Sequence, residues 1–343
     1  MITSKTDGSA LKRERIAASV LLPCFEAEPG ERVLAVHDDF VLVGPPLTER
    51  GFAVESWWRC ATANQHGTPW PEPGPFGSAI VRLSKDKTAF EMALHAATSV
   101  LDPGGTLWVY GANDEGIKSA PKLMRTVLEN VETVDIRKHC RVLKGTRPDD
   151  VGGLKQTLDA WARKETLEHD DGPHQHTVFP GVFAKGKLDP ATRLLLSAMP
   201  APEPDSTVLD YACGAGVIAG ALLRREPSVT LTQLDADAVA AHAAKLNVPQ
   251  ARTVVGASLA SLPPEDRYEW IVSNPPIHMG KARDYGVLRT LVQDSRAKLN
   301  PTGSLWLVVQ RQADLRALLK ANFRKTTAVV EDAWFRVWKA ERP

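Results

Sequence analysis

The apolar positions in the second half of the chain gather in short runs. Thr207–Asp210, Val229–Asp235, Trp270–Ser273 and Ser304–Gln310 are rich in β-branched or large apolar residues and end on polar or turn positions. Each of these patterns predicts a strand. Between and after them lie helix-like stretches over Ala215–Arg225, Ala236–Leu246, Arg283–Leu299 and Ala313–Ala321. The first half reads the same way. Alternation of this kind predicts an α/β fold with a mostly parallel sheet covered on both faces. Ligands of such sheets bind beyond the carboxyl ends of the strands.

The two halves also resemble one another. Leu101-Asp-Pro-Gly-Gly-Thr-Leu-Trp108 matches Leu299-Asn-Pro-Thr-Gly-Ser-Leu-Trp306, an offset of 198 residues. Arg141-Val-Leu-Lys-Gly-Thr-Arg-Pro148 matches Arg336-Val-Trp-Lys-Ala-Glu-Arg-Pro343, an offset of 195. Two matches in near register imply a diverged duplication. The expected domains are therefore 1–150 and 177–343, joined by a linker over 151–176. Within that linker, 154–168 has the composition of a connecting helix, followed by the polar stretch Glu168–Gln175. The proline-rich segment 68–77 reads as a loop.

Composition narrows the class. The 343 residues are 43% hydrophobic and 24% charged, with a net charge of +1. That balance is ordinary for a globular protein and argues against bulk charge as the means of holding nucleic acid, though not against a local basic patch. Cys24, Cys60, Cys140 and Cys213 show no CxxC spacing, which signals neither a zinc site nor a disulfide framework. The expectation is a reduced, cytoplasmic protein with no membrane contact and no metal; no run of about eighteen apolar residues occurs. His169-Asp170-Asp171 with His174 and His176 offers ligand types without a defined spacing. The tryptophans, among them Trp57, Trp58, Trp306 and Trp338, mostly sit in strand-like runs and read as core.

Two motifs carry chemistry. The first is Val208-Leu209-Asp210-Tyr211-Ala212-Cys213-Gly214-Ala215-Gly216. Gly214 and Gly216 remove side chains where a helix begins, so backbone N–H groups can approach a ligand closely. Cys213 is a small residue inside that turn. Asp210 is placed to accept hydrogen bonds from a cationic amine. Asp235, nineteen residues after Gly216, is placed to accept from the two hydroxyls of a ribose. Gly214-x-Gly216-x-x-Ala219 with Asp235 also fits a dinucleotide fingerprint. Against NAD stands the charge of Asp210, unwelcome beside a pyrophosphate but suited to the amino-acid part of S-adenosylmethionine.

The second motif is Asn274-Pro275-Pro276-Ile277, about sixty residues on. The prolines make a rigid turn. The Asn274 side-chain oxygen and the Pro275 carbonyl can accept from the two hydrogens of one planar amine, favouring its nucleophilic geometry. Positioning and electrostatic stabilisation then suffice for methyl transfer, without metal or covalent intermediate.

Here the chain resembles the ribosomal RNA small subunit methyltransferase C family, whose members methylate N2 of a guanine in 16S rRNA. The likeness covers nearly the whole chain. It rests on Phe179-Pro180-Gly181-Val182-Phe183, Leu188-Asp189 through Leu194-Leu195-Leu196-Ser197, Val208–Gly216, Ser273–His278 and Phe335-Arg336-Val337. In the first half it rests on Val109–Ala120 and Cys140. The resemblance implies two tandem Rossmann-like class I methyltransferase domains, the N-terminal copy degenerate and serving folding or RNA placement. Consistently, Leu34–Asp39 occupies the first motif's position without a GxG turn, and Arg82-Leu83-Ser84-Lys85 stands where NPP would be.

The resulting expectations are specific. Asn274, Pro275 and Pro276 carry catalysis. Asp210, Cys213, Gly214, Gly216, Asp235, Ser258 and Phe183 bind the cofactor, S-adenosyl-L-methionine. Ile277, His278, Lys281 and Arg283 contact substrate, with Lys185, Lys187 and Arg311 as further phosphate contacts. Two positions depart from the family: Ile277 replaces an aromatic residue, and Ser258 stands where an acid is usual. The partner is small-subunit rRNA in a ribosomal particle, bound by a monomer. Alternatives are a large-subunit guanine, another planar amine such as a glutamine side chain, an assembly factor of the same fold, or an NAD-dependent oxidoreductase.

Overall fold

The computed structural model describes residues 5–276, 278–279, 282–283 and 286–342. It divides into two compact units. One is the chain up to Arg59 with Thr68–Ala162; the other is Cys60–Gly67 with the chain from Arg163 onward.

The first unit holds six strands: β1 (Arg32–Val36), β2 (Ala53–Trp57), β3 (Phe76–Arg82), β4 (Leu101–Ala112), β5 (Glu129–Arg137) and β6 (Cys140–Thr146). Its helices are α1 (Lys5–Leu21), α2 (Gly44–Glu49), α3 (Lys87–Val100) and α4 (Ala120–Met124). The strand order is β2-β1-β3-β4-β6-β5, parallel until β6 turns back antiparallel on β4.

The second unit opens with the antiparallel pair β7 (Arg163–His169) and β8 (Gly172–Val178). Helix α5 (Pro190–Ala198) follows. Then come β9 (Thr207–Tyr211), α6 (Val217–Arg225), β10 (Thr230–Asp235), α7 (Ala238–Asn247), β11 (Arg252–Val255) and β12 (Tyr268–Ser273). The short antiparallel pair β13 (His278–Met279) and β14 (Ala282–Arg283) precedes α8 (Gly286–Lys298). β15 (Leu299–Gln310), α9 (Arg316–Asn322), β16 (Lys325–Glu331) and β17 (Phe335–Glu341) complete it. Its main sheet runs β11-β10-β9-β12-β15-β17-β16. Apart from β11, this is the order of the first unit with each strand replaced by its later copy.

The duplication extends to side chains. Trp108 faces Lys144 across β4 and β6, and Trp306 faces Lys339 across β15 and β17. The ammonium groups lie 5.7 and 5.5 Å from the respective ring centres, within cation–π range. The Arg147 guanidinium donates to the Leu101 carbonyl, and Arg342 repeats the bond to Leu299. Central strands of both sheets bury both faces: Leu107 and Val109 on one side with Trp108 on the other, and Leu305, Leu307 and Val309 on one side with Trp306 and Val308 on the other.

The connecting helix expected over 154–168 does not form. A single turn, Leu158–Trp161, is followed by the β7–β8 hairpin. The period of two decides it: Leu167 and His169 are buried while Lys164, Thr166 and Glu168 alternate outward or partly so. Asp170-Asp171 joins the strands in front of Gly172, which has φ 111°. The polar stretch Glu168–Gln175 is thus paired strand and turn.

The hairpin gathers its histidines. His169 lies with its ring centre 5.3 Å from that of His174 and 5.7 Å from that of His176. No group suited to holding a metal ion occurs among the described residues. Burial is the main force pushing His169 and His176 down to about 4, with Arg224 and His174 acting in the same sense on both. Arg193 also lowers His169, and Asp171 opposes it. An unfolded imidazole titrates near 6.5, so the unfolded chain takes up these protons first as pH falls. The neutral pair therefore contributes full stability above about pH 6.5, lost as pH falls toward 4. Thermal melts between pH 7.5 and 5 should show a steeper fall in Tm for the wild type than for His169→Gln/His176→Gln. Parallel profiles would remove the histidines as the cause.

Candidate active site

β9 ends at Tyr211, and the chain then turns through three left-handed residues: Ala212 (φ 58°), Gly214 (φ 55°) and Gly216 (φ 77°). At Gly216 a Cβ would also meet Gln233 Nε2 at 2.8 Å and Ala244 Cα at 3.2 Å. Only glycine lets α6 begin this close to β10 and α7. The Gly214 N–H donates to Asp235 Oδ2 (2.8 Å), and the Asp237 N–H donates to Asp235 Oδ1 (2.9 Å). These two bonds fix the Asp235 carboxylate at the carboxyl end of β10. A carboxylate oxygen can accept more than one hydrogen bond, which suits it to a diol.

The far side of the turn is braced by Asn247, which sequence reasoning missed. Its oxygen accepts from the Thr177 N–H (2.7 Å), and its amide nitrogen donates to the Thr177 and Ala215 carbonyls (2.9 Å each). One side chain at the end of α7 thus ties β8 to the glycine turn. Burial accounts for Cys213, whose thiol is pushed up and remains protonated.

Asp210 is near the turn but does not reach the surface expected of it. It is 0% exposed, and its Oδ2 accepts the Ala219 N–H of α6 (3.1 Å). Oδ1 is a buried acceptor with no partner among the described residues. Burial, with Asp235 adding to it and the Ala219 bond opposing, pushes this carboxyl up to about 8. A carboxyl raised this far is mostly protonated near neutral pH, and Asp210 is not among the described residues lining the cavity beside the turn.

β12 ends at Ser273, whose buried hydroxyl donates to the Tyr211 carbonyl (2.7 Å) and holds the ends of β12 and β9 together. The next residue is Asn274. Its Nδ2 donates to Asp189 Oδ2 and to Thr192 Oγ1, both at 3.0 Å. A primary amide has two N–H donors, and both are used here. Asp189 Oδ2 also accepts the Thr192 N–H (3.0 Å), capping α5. Turning the amide over would set its oxygen against a carboxylate, which has no proton to offer. The Asn274 oxygen is therefore the atom left to accept from a ligand.

These elements surround a cavity of about 470 Å³ whose lining includes Phe183, Gly214, Asp235, Asn274, Pro275 and Phe335. That is the usual size of a small-molecule site. A smaller recess of about 40 Å³ shares Phe183, Asp189, Gly214 and Asn274 and adds Cys213 and Lys187. The Asp235 carboxylate, the glycine turn and the orphaned buried oxygen of Asp210 behind it fit S-adenosylmethionine with its ribose and ammonium group.

The other expected residues divide clearly. Pro275 and Pro276 line the cavity beside Asn274. Phe183 also lines it and is 62% exposed. Ser258 caps the short turn Leu259–Ser261 through the Ala260 N–H (3.3 Å) and is not among the described cavity-lining residues. Ile277 and Lys281 lie outside the described residues, as do the side chains of His278 and Arg283, whose backbones sit in β13 and β14.

The register shows what the first copy lost. Leu34 pairs with Ala79 and Ala79 with Leu107, as Leu209 pairs with Ile271 and Ile271 with Leu305. Ala35 therefore stands at the position of Asp210, and Arg82 at that of Asn274. Arg82 is buried and clamped by Glu14 and Glu115, each at 2.6 Å. A buried ion network occupies the place of the amine acceptor.

A mostly parallel sheet with a glycine turn after its first strand, an acid at the end of its second and Asn-Pro-Pro after its fourth defines a class I methyltransferase domain. The Methyltransferase small domain family matches residues 175–339, and the Methyltransferase small domain N-terminal family matches residues 55–164. The ribosomal RNA small subunit methyltransferase C of Ectopseudomonas mendocina is 32% identical over 288 residues, covering 83% of this chain and 85% of its own. That of Alteromonas mediterranea is 31% identical over 265 residues, covering 76% and 72%. The T. thermophilus 16S rRNA N2 methyltransferase, solved with AdoMet and guanosine, superimposes with a TM-score of 0.84. That comparison has 24% identity and covers 96% of this chain and 92% of the other, which establishes a shared two-domain fold. The chain belongs to the ribosomal RNA small subunit methyltransferase C family.

Proposed function

We propose that this chain transfers a methyl group from S-adenosylmethionine to the exocyclic N2 of a guanine in small-subunit rRNA. The observation that carries this reading is the oriented amide of Asn274, its oxygen alone left to accept, at a cavity shared with Asp235 and Gly214. Family membership supports the RNA substrate. S-Adenosylmethionine, when bound, supplies an electrophilic methyl on its sulfonium. Asp235 holds the ribose, the Gly214 turn allows close approach, and an ammonium group bound near the turn favours ionisation of the buried Asp210 carboxyl. Asn274 Oδ1 and the Pro275 carbonyl accept from the guanine amine, holding its lone pair out of conjugation. Pro275 and Pro276 fix that pair of acceptors on a stiff turn.

The finer assignments are a monomer acting in the cytoplasm on an assembled particle, with no metal. Ile277, His278, Lys281 and Arg283 follow Asn-Pro-Pro and supply the substrate side. The test is tritiated methyl transfer to unmodified small subunits, naked rRNA and large subunits. Label should appear as N2-methylguanine in small-subunit rRNA and more strongly on the particle. Label confined to large subunits, or to no RNA, overturns the reading.

A further inference from the structure

Ile277 leaves the site without the aromatic residue expected after Asn-Pro-Pro. At the same end of the sheet stands an indole that the core does not use. Trp334 is 72% exposed, whereas Trp306 and Trp338 are 3% exposed. It immediately precedes β17, whose first residue, Phe335, pairs with Gln310 at the carboxyl end of β15. Both Gln310 and Phe335 line the large cavity. Trp334 therefore sits at the ligand-binding edge, two strands along from Asn274, a lateral distance of about 10 Å at ordinary strand spacing.

The turn that carries it is held firmly. Asp332 Oδ1 accepts the N–H groups of both Trp334 and Phe335 at 2.7 Å. The Arg311 N–H donates to the Trp334 carbonyl at 2.7 Å, and the Asp332 N–H donates to Phe335 O at 2.9 Å. The acids of the turn are engaged: Asp332 by those amides, Glu331 by Arg336 at 2.7 Å and by Arg311 at 3.7 Å. A rigid backbone thus presents a large, exposed π-face, with Glu331 paired to arginines and the Asp332 carboxylate hydrogen-bonded into the turn. The other exposed large apolar residues among the described part of this unit are Phe183, which lines the cavity, and Leu246 and Val329, which are aliphatic.

We propose that Trp334 is a stacking platform for a nucleobase of the substrate RNA next to the target guanine, supplying the aromatic contact that Ile277 does not. This rests on the RNA methyltransferase reading above. A purine splayed from its strand fits the span between Asn274 and the indole, and an indole accepts any base on its face.

The test is steady-state methylation of unmodified small subunits by wild type, Trp334→Ala and Trp334→Phe, with S-adenosylmethionine affinity measured separately. The KM of Trp334→Ala for the subunit should rise about 5- to 150-fold, the range base stacking supports. Its kcat and cofactor affinity should stay within a factor of two of wild type, about the resolution of such a comparison. Trp334→Phe should recover most of the loss. An unchanged KM in Trp334→Ala, with an active wild type, overturns this proposal alone. A wild type that methylates no RNA overturns it together with the functional reading.

Discussion

Asn274→Ala should abolish nearly all methyl transfer while leaving the fold and the cofactor site in place. The expected fall in kcat is about 10²- to 10³-fold, the cost typical of removing one preorganised polar group from a developing charge. The reasoning is geometric. Both N–H donors of the amide are committed to Asp189 and Thr192, so its oxygen presents to the ligand in a fixed sense. An exocyclic amine must lose conjugation with its ring to become a nucleophile, and its hydrogens grow more acidic as the methyl approaches. An acceptor aligned on one of them becomes more valuable in the transition state than in the ground state, which is the condition for raising kcat. Asp235 and Gly214 hold one another independently of Asn274, so affinity for S-adenosylmethionine should change less than twofold, near the limit of measurement. A variant that keeps wild-type kcat, or that loses cofactor affinity in parallel with rate, would sink this assignment.

Much of this site was readable in the sequence because its requirements are local. Gly214 and Gly216 are demanded by a left-handed turn, Asp235 by its place at the next strand's end, and Asn-Pro-Pro by stiffness. The paired Leu-Trp and Arg-Val-x-Lys segments revealed the duplication because they occupy facing strands in each copy, down to Trp108 with Lys144 and Trp306 with Lys339. Contacts between distant segments were not readable. Asp189-Pro190 announces a helix start, but nothing local says that its carboxylate meets an amide 85 residues later. Asn247 looks like the end of a helix and is also the tie between β8 and the glycine turn. Asp210 was placed correctly along its strand, but the side of the turn it faces is a matter of packing against α6. The hairpin Arg163–Val178 was missed because its polar composition hid a period of two.

Asp189→Ala provides the second large effect and tests the amide's orientation from the other side. Asp189 does two jobs with one oxygen: it caps α5 through the Thr192 N–H and anchors Asn274 Nδ2. Losing the cap should cost about 1 kcal/mol, a drop in Tm of about 2–4 °C for a domain of this size. Losing the anchor should cost much more in rate. With only Thr192 left, and with its hydroxyl equally able to donate or accept, the Asn274 amide no longer has a preferred sense. A misplaced acceptor typically costs about 10²-fold in kcat. Asp189→Asn separates the two roles from simple damage. Its carbonyl oxygen can accept from both the Thr192 N–H and Asn274 Nδ2, and asparagine caps helices about as well as aspartate. Stability should therefore return to near wild type, and most of the rate with it. If Asp189→Ala loses stability but keeps its kcat, the carboxylate is a helix cap alone. If Asp189→Asn is as slow as Asp189→Ala with full stability, the negative charge itself serves the reaction, and orientation of the amide is not the reason.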